Sequence, residues 1–542
     1  MRLANEKTRR ETGLSYVMQS VYTATPFGVK LMKELVPFMP GQEEQLKEEF
    51  LRMERISMLM NQHPKTADIL YECFMEVKDC TFTVERSGKT ALSVVELFEL
   101  KSLLILMEKV RKILLENKEY IPEEFFLEDI EPALDILDPA KQRMNTFYIY
   151  DEFSERLGPL RKQKRELEVA IRKEQKKTKL YIEEKYGLEI SPKFEYVVSK
   201  SMVHLLATIS QIPELCIKDE DYMNTTFQIK PSAEVRDWMQ KIEELNQESE
   251  EEEILVRSRL SKEVSVYKKE ILQNCGKLGK LDFTMGKVVY AQKHQCIKPE
   301  IVKQHLIEFA EGRQLEVEDI LLSKGKAYCP VGISLSDGVT CITGANMGGK
   351  TVSLKLVGLI QLLAQYGFYV PCSQARLGLC NFIQILIGDS QSLERGLSSF
   401  GSEMEELKEI LDHSTSQSLI LIDEIASGTN PIEGLALTKS LIDYLREKPY
   451  ITLITTHFDD VAGRNKVKNM QVIGLENADF ERLDKEIKYA NRKERINIIA
   501  KYMDYRLKLV ESGEEIPKDA LNIAKILGLN AEIINKAKEY LN

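Results

Sequence analysis

Thr340-Cys-Ile-Thr343-Gly344-Ala345-Asn346-Met347-Gly348-Gly349-Lys350-Thr351 is the stretch on which the fold turns. Thr340–Thr343 reads as the end of a buried strand, and the run from 351 to 366 reads as a helix. Between them, Gly344-x-x-x-x-Gly349-Lys350-Thr351 matches G-x-x-x-x-G-K-[ST] in full. Glycines let successive backbone N–H groups turn inward around phosphate oxygens, and the following helix adds its positive end. Lys350 has the reach for β- and γ-phosphates, and the Thr351 hydroxyl suits a place on Mg²⁺. The candidate nucleotide contacts are therefore Gly344, Ala345, Asn346, Met347, Gly348, Gly349, Lys350, Thr351 and Val352.

Downstream, Ser418-Leu-Ile-Leu-Ile-Asp423-Glu424 is an apolar strand ending in two carboxylates. Asp423 suits Mg²⁺, directly or through water, and Glu424 suits polarising an attacking water. Tyr450-Ile-Thr-Leu-Ile-Thr-Thr456 is another apolar strand, and His457 stands at its end, where it would meet a γ-phosphate. Apolar strands alternating with helices predict an α/β sheet covered on both faces. Two polar segments complete the set: Gly388-Asp-Ser-Gln391-Ser-Leu-Glu-Arg-Gly-Leu-Ser398-Ser-Phe400 and Ser427-Gly-Thr-Asn430-Pro431.

The region before about 310 has a different texture and predicts helices. Leu97–Met107 has helical apolar spacing. Residues 160–186 and about 233–273 are long, highly charged runs, as in an arm that goes out and returns. The second run contains the acidic block Glu248-Ser-Glu-Glu-Glu-Glu253. Between the two runs, Phe194–Val198 and Thr226–Ile229 suit short strands. The expected organisation is a helical core with lever and clamp-like arm over 1–310 and a P-loop domain over 311–476. An insert, read as a surface helical hairpin or a partner contact, and a C-terminal helical segment fill 477–542.

Of the 542 residues, 43% are apolar and 30% charged, which suits long solvated helices. Net charge is −10, so the global balance gives no support to a dedicated nucleic-acid binder, although a local basic stripe remains compatible. Nine scattered cysteines form no C-x-x-C pair and read as reduced thiols. The first residues contain no signal-peptide core, and no run is long and apolar enough for a membrane span. The expectation is a cytoplasmic protein.

Together, TGANMGGKT at 343–351, GDSQSLERGLSSFGSEM at 388–404, LILIDEIASGTNPIEGLAL at 419–437 and TTHF at 455–458 resemble the ATPase domain of the MutS family, within the ABC-type P-loop class. The Gln391 and Ser-Ser-Phe pattern is nearer to the anti-recombination paralogues than to mismatch-repair MutS. The resemblance implies a homodimer with two composite sites holding ATP and Mg²⁺. Ser398 would contact the γ-phosphate in trans, Gln391 would contact nucleotide and metal, and Asn430 would communicate between sites. Tyr328-Cys-Pro-Val331 would lie near the adenine, and the C-terminal helices would dimerise. Tyr22–Met32 is similar to the start of the family's helical core. A mismatch-reading domain is not expected, because the resemblance starts directly at that core, and no nuclease-like domain is expected after the ATPase.

Two loads remain open for such a motor. One is DNA held by the clamp arm, supported by Arg161, Lys162, Lys164, Arg165, Arg172, Lys173, Lys176, Lys177, Lys179 and Lys185, and opposed by the glutamate block. The other is protein remodelling. The length, acidic balance and insert resemble the MutS-like subunit of a reactivase for lysine 5,6-aminomutase, which depends on adenosylcobalamin and pyridoxal phosphate. In that case the partner is the aminomutase or a second reactivase subunit. The remodelling reading is placed slightly ahead of DNA, and no membrane partner is expected.

Overall fold

The computed structural model of the chain describes residues 3–344, 349–388, 399–458, 467–488, 501–510 and 528–540, with the single positions 495, 498, 521 and 524. The chain divides into two compact units. One comprises 1–75, 113–126 and 277–542, and the other 76–112 and 127–276. The region expected as one helical core over 1–310 is thus shared between both.

The second unit is built on two long helices, Leu157–Tyr186 and Ala233–Val264, packed side by side. After Gly158 and Pro159 in its first turn, the first runs without a breaker until Gly187, whose φ of +68° ends it in the left-handed conformation. The second starts where the Ser232 hydroxyl accepts a hydrogen bond from the Val235 N–H at 3.2 Å. Between them lies an antiparallel sheet of β1 (Glu195–Ser199), β2 (Leu215–Glu220) and β3 (Asn224–Ile229), in the order β1-β3-β2. The two sequence-expected strands become β1 and β3, and β2 is added. Ile182, Ile190, Val198, Ile209, Leu215 and Phe227 form its core.

The first unit contains two sheets. A four-stranded sheet has the order β4 (Glu300–Val302), β8 (Gln374–Gly378), β5 (Leu306–Gly312), β6 (Val331–Ser336). It straddles the expected boundary at 310/311. The larger sheet runs β13 (Asp504–Leu509), β12 (Val467–Gly474), β7 (Gly338–Thr343), β11 (Tyr450–Thr455), β10 (Ser418–Asp423), β9 (Phe382–Ile387). All its neighbours are parallel except β12 and β13. A parallel sheet buried on both faces needs apolar strands, and β9, β10 and β11 are nearly wholly buried.

The expected helical hairpin over 477–518 is corrected here. Phe480–Lys488 is a helix, but Asp504–Leu509 is a strand that pairs with β12 and carries the sheet past the expected boundary at 476. Apolar Tyr505, Leu507 and Leu509 alternate with polar Asp504, Arg506 and Lys508, the pattern of a half-covered edge strand.

The helix Lys350–Gln365 is buried along almost its whole length. A helix apolar on all sides must be covered on all sides. The sheet covers one side, and the N-terminal helices Glu6–Glu11 and Leu14–Ser20 contribute to the other, tied in by Lys355 to Glu11 at 2.9 Å. Gly358 makes the close approach possible. A Cβ there would stand 2.5 Å from Thr12 Cγ2 and 2.9 Å from Leu421 Cδ1. Thr12 cannot easily yield, because its hydroxyl donates to the Thr8 carbonyl at 2.7 Å. Alanine gains about 1 kcal/mol in helix propensity but overpacks the contact by roughly 1–3 kcal/mol. Gly358→Ala is therefore expected to lower the thermal midpoint. Adding Thr12→Ser, which removes the clashing methyl, should restore part of the loss. An additive double variant, measured by calorimetry, would contradict this packing.

Among the described residues no helix is long and apolar enough to cross a membrane. All nine cysteines are free thiols, six of them buried. Burial alone pushes the Cys341 thiol up to about 12, so it is inert.

Candidate functional site

β7 delivers Gly344 at its end, with φ of +127°, and Gly349 opens the following helix at φ of +78°. Both conformations are strained for any residue with a Cβ. Lys350 and Thr351, the first residues of that helix, then point to the ends of β10 and β11.

Lys350 is 3% exposed. A buried ammonium needs acceptors, and it has them. Its Nζ donates to the Gly344 carbonyl at 2.8 Å and to His457 Nδ1 at 3.0 Å, and lies 3.3 Å from Glu424 Oε1. His457 Nε2 lies 2.7 Å from the same carboxylate oxygen. With Lys350 donating to Nδ1, the imidazole proton belongs on Nε2, facing Glu424. The hydrogen bond from His457 is the main reason the Glu424 carboxyl sits below its usual range, and the charge of Lys350 reinforces it against partial burial.

Asp423 is fixed by two hydroxyls. Thr351 Oγ1 donates to its carboxylate at 2.8 and 3.1 Å, and Thr455 Oγ1 donates at 2.5 Å. Thr455 Oγ1 also accepts from the Glu424 N–H at 3.1 Å. One threonine on β11 therefore holds the Asp423 carboxylate at the end of β10 and the backbone of Glu424 just after it. Sequence reading missed it, as it passed for one more β-branched residue in an apolar strand.

The backbone after β10 is strained, with Glu424 at φ +49° and Ala426 at φ +60°. Such outliers persist only where the surroundings over-determine them. Here Glu403, on the helix Ser399–His413, accepts the Ala426 N–H with both oxygens at 3.3 Å. Burial raises the Glu403 carboxyl above its usual range. Glu403 was quoted within the 388–404 motif, but nothing in its spacing pointed to this tether.

Thus Gly344, Gly349, Lys350, Thr351, Asp423, Glu424 and His457 come together, and Val352 follows half-buried on the same helix. Ala345, Asn346, Met347, Gly348, Gln391 and Ser398 lie outside the described residues. Asn430 is exposed, and its side chain caps the helix Pro431–Leu445 by accepting the Ile432 N–H at 2.9 Å. Tyr328–Pro330 leads into β6, which lies against β13, and the Cys329 thiol sits close to the backbone of Tyr505. Tyr505 in turn lies beside Gly349, its ring 3.1 Å from where a Gly349 Cβ would stand. The edge strand β13 thereby touches both the expected adenine segment and Gly349.

The donor set fits ATP and Mg²⁺. Two left-handed glycines precede a buried lysine, and a threonine hydroxyl donates to a carboxylate, which is the oxygen chemistry that Mg²⁺ prefers. One strand, β11, separates the loop strand β7 from the acid strand β10. The fold and the site define a P-loop domain.

Residues 340–542 match the family model of MutS domain V. This segment places the nucleotide-site part of the chain in the MutS family. The chain is 33% identical over 308 residues to a protein of Fusobacterium nucleatum named endonuclease MutS2, covering 56% of this chain and 36% of that one. It is 28% identical over 458 residues to the protein so named in Caldanaerobacter subterraneus, covering 82% and 54%. A third, from Ruminiclostridium cellulolyticum, is 30% identical over 387 residues, 69% and 45% of the two chains. The chain spans about half the length, or less, of the curated relatives it matches.

Proposed function

We propose that this chain is an ATP-hydrolysing motor that works on DNA as a homodimer. The observation that carries the ATPase part is the convergence of Lys350, Glu424 and His457 beside the Asp423–Thr351 pair. Lys350 holds phosphate oxygens, which compete with Gly344, His457 and Glu424 for its ammonium. Thr351 and Asp423 are the residues that would hold Mg²⁺, whose contribution is to neutralise phosphate charge. Glu424 stays ionised at neutral pH and accepts a proton from the attacking water. His457 orients Glu424 and senses whether the γ-phosphate is present. Ser398 of the second copy completes each site in trans, and Gln391 assists at the metal. Asn430 acts by fixing the start of its helix.

Relatives named endonuclease MutS2 support the DNA load. The protein-remodelling reading, with an aminomutase reactivase as its example, finds no support among them and is not carried forward. The test is steady-state ATP hydrolysis with and without duplex or branched DNA. Turnover that needs Mg²⁺, rises more than linearly with protein concentration, and changes severalfold on adding DNA is expected. Turnover indifferent to any DNA across low salt would remove the DNA part while leaving the ATPase intact.

A further inference from the structure

The turn after β10 sets the direction of the proposed base, and its backbone is pinned at two points. The Glu424 N–H donates to the Thr455 carbonyl and to the Thr455 hydroxyl, each at 3.1 Å. With the nitrogen fixed there, φ is the rotation that decides where the Glu424 side chain points. At φ +49° the carboxylate lies 3.3 Å from Lys350 Nζ and 2.7 Å from His457 Nε2. A residue with a Cβ does not rest in that region unaided.

The chain beyond Glu424 must therefore be held. Two residues on, Ala426 repeats the condition at φ +60°, and its N–H is the donor that Glu403 accepts. Both Glu403 oxygens lie at 3.3 Å, so the N–H is aimed between them.

The support behind Glu403 is firm. Its helix, Ser399–His413, packs Leu407 and Ile410 into the same core as Ile425 and Ala426, with Phe400 and Met404 against it. One turn on, Glu406 pairs with Lys7 at 2.7 Å and ties this helix to the helix Glu6–Glu11. Glu403 itself is 8% exposed. Burial is the main reason its carboxyl lies above the usual range, Glu406 adds to the rise, and the Ala426 N–H opposes it. Among the described residues no cation pairs with it. A buried carboxyl without a cation is costly unless it is hydrogen-bonded. The bond from Ala426 is what offsets that cost.

We propose that Glu403 is a positioning residue for ATP hydrolysis: by holding the Ala426 N–H it keeps Glu424 in the left-handed conformation, with its carboxylate aimed at the attacking water. Without the tether the turn relaxes, Glu424 rotates about its fixed nitrogen, and the base swings away from Lys350 and His457. Glu403 takes no part in the proton transfer and acts through Glu424 alone. This rests on the ATPase reading above and deepens it by naming what controls the base.

The test uses the full chain and labelled ATP with Mg²⁺, under steady-state and single-turnover conditions. Glu403→Leu removes the acceptor and keeps the bulk. It should lower kcat by about 10–100-fold, less than loss of the base itself. KM for ATP should stay within about threefold, since Lys350 and Thr351 are untouched. Glu403→Gln keeps one acceptor oxygen and should recover most of the loss. Glu406→Gln, which breaks the Lys7 pair on the same helix, should change turnover by about threefold or less. The decisive readout is the double variant. In a Glu424→Gln background, Glu403→Leu should cost about twofold or less, because the group it aims is already gone. Thermal midpoints are compared throughout. Where Glu403→Leu does not fold, Glu403→Asp takes its place, with the carboxylate drawn back by one carbon. Three results would each overturn the assignment: wild-type turnover in Glu403→Leu, an equal loss in both backgrounds, or a folded Glu403→Gln as impaired as Glu403→Leu. In all three the loss in Glu424→Gln still upholds the ATPase reading. A wild-type chain that hydrolyses no ATP with Mg²⁺ removes that reading, and the role of Glu403 with it.

Discussion

Glu424→Gln will all but abolish ATP hydrolysis while leaving ATP binding intact. The substitution keeps the side chain's length and one carbonyl-type acceptor for His457 Nε2, 2.7 Å away. What it removes is the negative charge that accepts a proton from water. A positioned general base contributes about 10²–10⁴ in rate, or roughly 3–5 kcal/mol of barrier. Binding has no reason to fall, because Gly344, Lys350 and Thr351 are untouched. The loss of the carboxylate also removes a competitor for the Lys350 ammonium at 3.3 Å. The expected result is a variant that retains ATP through a spin column and releases almost no phosphate. Turnover within threefold of wild type would sink the assignment of Glu424. The pH profile gives a second readout. Hydrogen bonding by His457 lowers the carboxyl below its ordinary value of 4.5, so the base is charged throughout the neutral range. The acid limb assigned to this group must therefore lie below pH 4.5, and an acid limb near 6 must come from another group.

The chemistry of this site was more legible than its support. Gly344, Gly349, Lys350, Thr351, Asp423, Glu424 and His457 could all be read because their roles need fixed residue types at strand ends, and apolar strands announce those ends. Thr455 and Glu403 could not. A threonine in a strand and a glutamate on a helix are common for ordinary reasons, and only three-dimensional proximity reveals that they orient Asp423 and hold the Ala426 N–H. The same holds for the sheet. β10 and β11 are buried on both faces and show as continuous apolar runs, whereas β12 is interrupted by Lys468, Asn469 and Gln471. β13 carried a two-residue alternation that was readable, but the charged surroundings of 477–518 favoured a helical reading. It matters for the site, because Tyr505 on that strand packs beside Gly349. The basic run on Leu157–Tyr186 shows the opposite limit. Ten cations could be counted from the sequence, but which of them were already paired depended on acids up to 92 residues away, as for Arg161 and Glu253.

Lys350→Met is expected to remove nucleotide affinity without unfolding the domain. The methionine fills a similar volume, so little packing is lost. The ammonium makes charge-assisted hydrogen bonds, each worth about 1.5–3 kcal/mol where the partner is charged. Removing two such bonds to phosphate together corresponds to roughly 10²–10⁴ in affinity. Removing one partner of a buried pair usually destabilises, because it strands the other. Here the stranded group is Glu424, whose side chain is 27% exposed and keeps His457 as a partner. Water can therefore take over part of the lost interaction, and the folding penalty stays small. Lys350→Arg separates charge from shape. The guanidinium is planar and cannot donate to Gly344 O and His457 Nδ1 in the directions that a tetrahedral ammonium uses. It is expected to fail in turnover almost as completely as methionine. The measurement is the rise in thermal midpoint on adding Mg·ATP. Wild type should gain several degrees, since a ligand at a hundredfold over its Kd adds about 2.7 kcal/mol. Lys350→Met should start near the wild-type midpoint and show no rise. A midpoint that rises with Mg·ATP as in wild type would place the phosphates elsewhere. A large fall before any nucleotide is added would make Lys350 chiefly a structural cation bridging Gly344, His457 and Glu424.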